Sequence, residues 1–587
     1  MERRVLLAIF LCFLFLYVWN ALVVKPVPKN AGSATAKTAA PLSAPPQAEA
    51  LPGGQTATAP SLAKAPPPPN VALGDQTEHD TTVETRDVIA VITNKGARLK
   101  SWRLKHYFDR DKQPQELVVS EGSQPLPFTI HVADDQTNAI LDNALYAVTG
   151  VPSAGSPESQ PTKLRFEYST GADGLHVVKD FELPPTGYVV GFSASVNASG
   201  RNGDEAGSPP GLLPYTILWG PAVGDIGENS RYVKKAEGLV FQNEKLRRLS
   251  PKDFAAQPTY EGDFKYAGVD DNYFMVAALN PGTTKVTYAA VSIPPPATSK
   301  DPARDLVAFS IGPRSSTDPV KFFAGPKDFD VLATIDRDVV RAIDFGMFAV
   351  LVVPLLRSLK WVNGYVHNYG WSIIILTIII NAIMFPLRHK SVVSMRKMQE
   401  IQPEVKAIQD RYSKLKTTDP ARQKMNQELM ALYRERGVNP ASGCVPMLLT
   451  MPVLIAFYAL LSTAIELRGA PFFGWIQDLS LHDPLYVTPV FMGITMVWQQ
   501  KIAPATGADP AQQKMMMFMP IVFTFMFLWA PAGVAVYWLM SNLWAIGQQY
   551  ATNYLIGPPN VRSVRPPAQR QMKRAGGGKS DAAARES

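Results

Sequence analysis

The stretch Trp371 to Leu387, WSIIILTIIINAIMFPL, holds seventeen residues without a charge and ends at the basic run Arg388-His389-Lys390. With Tyr369 and Gly370 it reaches the roughly twenty residues that a helix rising about 1.5 Å per residue needs to cross a ~30 Å hydrocarbon core. Its one strongly polar side chain is Asn381. An amide buried in hydrocarbon without a partner is costly, so Asn381 must face either other helices or a wet cavity. Which of the two holds decides the function.

The rest of the chain is divided around this span. Overall, 46% hydrophobic and 18% charged residues over 587 positions look like an ordinary soluble protein of several domains. That average hides a charged, proline-rich and alternating first 340 residues followed by a series of long apolar runs. Both cysteines, Cys12 and Cys444, lie in apolar runs, which excludes a disulfide framework or a cysteine metal site.

At the N-terminus, Arg3 and Arg4 precede twenty uncharged residues, Val5 to Val24. This is longer than the apolar core of a cleaved signal peptide and lacks a nearby small-residue cleavage pattern, so an uncleaved anchor is expected. Cys12 lacks the small neighbours of a lipoprotein signal and reads as lipid-facing or packed. From Lys25 to Glu78 the chain is mostly Pro, Ala, Ser and Thr, including Pro66 to Pro69, and reads as a disordered tether.

Short alternating runs follow to about Pro326. Val88 to Ile92 leads into the turn Asn94-Lys95-Gly96, and Leu164 to Tyr168 alternates apolar with polar. Further runs lie at 176–183, 188–196, 285–291 and 306–311, which with no long helical crossovers predicts an antiparallel β-sandwich. No metal-ligand spacing and no Gly-rich phosphate loop is present, which favours a binding or scaffolding domain over a catalytic one.

Arg337 to Lys360 carries charges at both ends of twelve uncharged residues, Phe345 to Leu356, too few to span a bilayer. An interfacial amphipathic helix is expected, with a buried soluble helix as the alternative. Beyond the central span, Arg388 to Arg436 holds twelve Lys or Arg against six Asp or Glu. Met398, Ile401, Val405, Ile408, Tyr412 and Leu415 recur at heptad spacing, a turn follows at Thr417 to Pro420, and Met425, Leu429 and Leu432 continue the seam. The segment predicts a helical hairpin with a basic exterior that includes Arg396, Lys397, Lys406, Arg411 and Lys414.

Four further apolar runs, Cys444 to Ile465, Leu485 to Gln500, Met515 to Ala530 and Gly533 to Ile556, bring the expected spans to six. Basic residues concentrate in Arg3-Arg4, the hairpin, Lys501, Lys514 and a tail with seven Lys or Arg, whereas Glu466 to Pro484 has only Arg468. By the positive-inside rule both termini are cytosolic and the β-domain is outside. The expected divisions are an anchor (1–24), a tether (25–78), a β-domain (79–330), an interfacial region (331–368), a second span (369–387), the hairpin (388–437), spans three to six (438–556) and a basic tail (557–587).

Asn439-Pro440 with Gly443-Cys444, Met451-Pro452, Glu466-Leu467-Arg468, Asp478-Leu479-Ser480, Gln512-Gln513-Lys514 with Met519-Pro520, and Ser541-Asn542-Leu543 together resemble the YidC membrane protein insertases of the YidC/Oxa/Alb superfamily. Asn94 to Ala97, Asn272-Tyr273-Phe274 and Gly325-Pro326-Lys327 resemble the periplasmic domain of its Gram-negative members. The resemblance implies an inner-membrane insertase and chaperone whose five core helices enclose a hydrophilic groove open to cytosol and lipid. It implies no enzyme activity and no cofactor. Implied partners are newly made membrane proteins, the Sec translocon, the lipid bilayer, and ribosomes or targeting machinery at the hairpin and tail, with no DNA. Substrate helices would slide along the spans 444–465 and 515–530. Thr377 matches a groove threonine, and Trp538 falls beside Tyr537 where relatives often carry tyrosine. One departure stands out: Asn381 occupies the place of a groove residue that is usually basic. Arg388, two turns nearer the cytosol, can replace it only by snorkelling back, so the groove is expected to rely on hydration more than on a fixed charge.

Two spans of sixteen residues reach only about 24 Å as helices, so they require thinned lipid or wet ends. Polar residues such as Thr377, Asn381, Thr450, Thr495, Gln499 and Thr524 supply the lining for a wet cavity, although each alone is equally an interhelical hydrogen bond. Without a nucleotide-binding loop, the protein must act by lowering the barrier to moving polar residues through lipid. The rival readings are a secondary transporter or channel, for which no paired broken helices are found, and an anchored periplasmic enzyme, which leaves five spans unexplained.

Overall fold

The computed structural model describes residues 71–556 apart from short internal stretches, the longest being 199–210, 224–234 and 294–303. The expected anchor, most of the tether, the basic tail, Lys414, Leu415, the turn 417–420 and both cysteines lie outside the described residues, as does the side chain of Thr450.

Alternation along the chain becomes alternation of burial. In Thr162–Ser169, Leu164, Phe166 and Tyr168 point inward, and this strand pairs antiparallel with Leu175–Leu183. Among the described residues, sixteen strands form a four-stranded sheet over residues 80–116 and a twelve-stranded sheet from Thr129 to Pro326. The two sheets share one apolar core, and Trp102 of the smaller sheet donates its Nε1–H to the Ala324 carbonyl of the larger at 2.8 Å. Phe128 stacks among Phe181, Phe192, Trp219 and Phe322 with centroids 4.8–5.3 Å away. Contacts with the β-domain include described residues on the N-terminal side of position 79. Leu73 already bridges to Ser169, and Asp75 donates its backbone N–H to Leu145.

After the last strand, Val320–Pro326, a short helix (Phe329–Ile335) and two 3₁₀ turns lead to α1, Ala349–Val366. The expected twelve-residue apolar run starts at the second 3₁₀ turn and covers only the first eight residues of this helix. Arg357 and Lys360 continue it because their charges are taken up locally. Arg357 lies over the Phe329 ring at 5.5 Å, and Lys360 reaches Asp330 at 2.7 Å, Glu466 at 2.8 Å and Asp328 at 3.4 Å. By length and composition Gly346–Val366 and Tyr369–Pro386 are each enough to cross a membrane.

Asn368 caps α2, Tyr369–Glu400, accepting from the Trp371 N–H. This helix runs from the central span straight into the first arm of the hairpin and breaks at Ile401, where Pro403 opens α3, Gln402–Arg411. The second arm is α4, Ala421–Glu435. Ile401, Val405 and Val438 form its buried seam with Met398, Leu429, Leu432 and Tyr433 against them. The apolar runs that follow are α5, Val445–Thr463; α6, Val487–Ile502; α7, Pro510–Phe527; and α8, Ala532–Ile556. Helix α8 packs on α2 and α6, α7 on α6, and α5 on α1.

Candidate functional site

The site is built on α2 and α8, which run side by side in the same direction. Near the β-domain, Ile373 meets Gly533, where a Cβ would lie 3.5 Å from the Ile373 Cδ1. About 35 Å further along, at 1.5 Å per residue, Arg396 of α2 donates to Asn553 Oδ1 of α8. The seam between these points changes character along its length.

At the β-domain end it is apolar and closed. Ile373, Leu376, Phe457, Leu460, Val534 and Val536 are buried, and Tyr537 stacks on Phe457 with centroids 4.3 Å apart and rings 13° from parallel. Thr377, fully buried, turns its hydroxyl back onto the Ile373 carbonyl at 2.6 Å. Its polarity is spent within its own helix.

One turn on, Asn381 is 4% exposed. Its Nδ2–H donates to the Thr377 carbonyl at 2.8 Å, and its Oδ1 accepts from Arg388 Nη1 at 2.7 Å. The two alternatives for Asn381 therefore resolve as a covered amide that holds a guanidinium. Helical side chains lean toward the N-terminus of their helix. Arg388 thus reaches two turns back from its own Cα and brings a half-buried charge to the level of Asn381. A charge-assisted hydrogen bond of this kind is worth about 1.5–3 kcal/mol.

Past the level of Asn381, α2 and α8 carry buried polar atoms that the protein does not satisfy. Among the described residues, His389 Nδ1, Trp544 Nε1, Gln548 Nε2 and Thr552 Oγ1 are buried without a hydrogen-bond partner. The last three lie four residues apart on one stripe of α8, a spacing visible in the sequence but missed there because Trp544 reads as apolar. Each such group costs about 1–3 kcal/mol unless water or a bound polar segment meets it.

The other expected lining residues separate into two groups. Thr495 is buried, donates to the Met492 carbonyl at 2.7 Å and accepts from Asn542 Nδ2 at 3.2 Å, forming a polar tie between α6 and α8; Gln499 is half-buried one turn further on. Thr524 instead donates to Pro520 in its own helix at 2.7 Å and presses against Gly493. It is packing between α6 and α7. Trp538 sits between Phe523 and Phe527, with centroids 5.6 and 5.0 Å away. On the hairpin Lys397 and Lys406 are exposed and Arg411 pairs with Glu428 at 3.2 Å, whereas Arg396 is 6% exposed and faces α8 rather than the exterior.

Comparison with known proteins agrees with this division of the chain. The model of the family described as "60Kd inner membrane protein" matches residues 361–557, and that of the "YidC periplasmic domain" matches residues 80–358. A membrane protein insertase YidC from Geobacter metallireducens is 35% identical over 96% of this chain and 100% of its own length. One from Syntrophus aciditrophicus is 33% identical over 94% of this chain and 99% of its own length. The crystal structure of an active YidC insertase with its first transmembrane domain resolved covers 83% of this chain and 94% of its own, at 18% identity and a TM-score of 0.33.

Proposed function

Because the chain belongs to the YidC family of membrane protein insertases, we propose that it inserts its substrates past the guanidinium that Asn381 holds at the head of a polar half-seam. The observation that carries this reading is the Arg388 Nη1 to Asn381 Oδ1 bond of 2.7 Å inside an otherwise apolar span. It gives this groove a charge despite the amide at position 381.

In this reading the bundle spans the inner membrane six times with both termini in the cytosol, and the domain at residues 80–326 is periplasmic. The stripe Trp544, Gln548 and Thr552 opens to the cytosol, and the apolar packing around Phe457 and Tyr537 seals the other end. Helix α1 lies along the outer interface. Support comes from its contacts: Ala342 just before it accepts from Arg248 of the β-domain at 2.6 Å, and Lys360 within it pairs with Asp328 and Asp330. A helix held to the β-domain before its first turn, and past its middle to the short helix that follows the domain's last strand, has no length left to reach the opposite face.

A charge at the bilayer centre costs about 2.5–3.5 kcal/mol on insertion scales. A guanidinium at half depth offsets this for an acidic substrate segment, and an inside-negative potential adds about 2.3 kcal/mol per 100 mV for each acidic charge moved outward. Cooperation with the Sec translocon, and receipt of nascent chains from ribosomes at the hairpin and tail, complete the proposal. The test is ATP-free insertion into vesicles of a small membrane protein whose translocated segment is acidic, beside a neutral version. Arg388→Gln should slow the acidic substrate about tenfold, equivalent to about 1.4 kcal/mol, and leave the neutral one within twofold. Asn381→Arg added to Arg388→Gln should restore it. Equal insertion of the acidic substrate by Arg388→Gln overturns the reading.

A further inference from the structure

Several residues that marked the family resemblance take no part in the groove, and they meet at one place. The loop after α5 carries Glu466-Leu467-Arg468, and the β-domain turn before its longest strand carries Asn272-Tyr273-Phe274. The Arg468 guanidinium donates to the Phe108 carbonyl at 2.7 Å and to Gln115 Oε1 at 2.6 Å, and lies over the Phe274 ring at 5.0 Å. Asn272 Nδ2 donates to the carbonyl of Ser462 at 3.2 Å. Ser462 lies in the last turn of α5, where helix carbonyls lack intrahelical donors.

The same loop is fastened to the other helices. Asn368 at the head of α2 donates its Nδ2–H to the Phe472 carbonyl at 3.1 Å. The backbone N–H of Gly533 in α8 donates to Leu479 at 2.9 Å. A load placed on Arg468 by the β-domain therefore reaches the β-domain ends of α2, α5 and α8 through a single segment of chain.

We propose that Arg468 is a positioning residue that braces the β-domain against the α5–α6 loop and holds the closed ends of α2, α5 and α8 together while a substrate helix leaves along α5. The inference rests on the insertase reading. The β-domain is then a fixed part of the insertion machine, and its contribution is independent of the charge of the substrate.

The experiment uses the full chain in vesicles, with Cys12 and Cys444 replaced. Arg468→Gln should slow insertion of the acidic and the neutral substrate alike, by threefold to tenfold, and Arg468→Lys should recover part of the loss. The pair Gln115→Cys with Arg468→Cys should be as slow as Arg468→Gln until a short bis-maleimide joins the two positions, and within twofold of the parent afterwards. A folding defect would not be repaired by that cross-link. Arg468→Gln at the parental rate, or a cross-linked pair that stays slow, overturns the brace. Arg388→Gln in the same assay separates the two ideas: if it keeps its acid-selective defect while Arg468→Gln has none, only the brace has failed.

Discussion

Lys179 carries its ammonium into the β-domain core with 1% of its surface exposed, on the inward phase of a strand whose other inward residues are Leu175, Val177, Phe181 and Leu183. It donates to the carbonyls of Gly96 at 2.6 Å, Phe128 at 3.0 Å and Ala97 at 3.3 Å, and all three of these residues have positive φ, at 68°, 64° and 45°. One cation thus holds two turns in the left-handed region, where the non-glycine residues Ala97 and Phe128 are strained. Burial pulls its pKa down to about 7; Arg98 adds to the effect and Asp142 opposes it. Between that value and the ordinary lysine range the unfolded chain holds a proton that the folded one has released, so this group makes folding more favourable as pH rises. Below pH 7 both states are protonated and the contribution is flat at its least favourable. Relative to Lys179→Met, the parent protein should gain about 2 kcal/mol between pH 7 and 9, read as the difference between the two in denaturant midpoint across that range. No such difference would show that the three carbonyls keep the ammonium charged throughout. The turn at Asn94 to Gly96 was legible from its residue types. Its clamp was not, since a lysine in an alternating strand is ordinarily read as facing water.

Among the elements, the helices show where period and length suffice and where they do not. The heptad seam foretold Ile401 and Val405 in the hairpin core because a repeat of 3.5 residues places them on one stripe. Charge hid the length of α1, since Arg357 and Lys360 interrupt its apolar run until Phe329, Asp328, Asp330 and Glu466 are brought beside them by the fold. Thr524 was misassigned for a related reason: a hydroxyl in an apolar helix signals either a wet surface or a close helix contact, and only the partner decides. The partner is Gly493, where a Cβ would stand 2.0 Å from Thr524 Oγ1 and 3.1 Å from its Cβ. Gly493→Ala should therefore push α6 and α7 apart at a cost of about 1–3 kcal/mol. Adding Thr524→Ala, which removes the nearest atom, should return part of that stability. The check is a double-mutant cycle on thermal unfolding in detergent; additive losses would mean that the two helices do not touch there.

For the molecule as a whole, the decisive property is a seam that is apolar at one end and polar at the other, between the same two helices. The long apolar runs and the alternating segments announced a helical bundle with a β-domain, and the short spans called for thinned lipid or a wet end. Neither said where, because Asn381 and Arg388 are seven residues apart and meet only through the backward lean of helical side chains. The asymmetry can be tested without a substrate. Thr552 and Val534 are both 0% exposed and lie on the same helix, so protein burial alone gives them equal protection. If the polar end is hydrated from the cytosol, Thr552→Cys and Gln548→Cys, in a background with Cys12 and Cys444 replaced, should react with a membrane-impermeant maleimide at least tenfold faster than Val534→Cys in inside-out vesicles. In right-side-out vesicles none of the three should react. Equal protection of all three positions in both orientations would mean that the unpartnered atoms of Gln548 and Thr552 sit in a dry interior, and a dry seam gives a polar segment no route to Arg388.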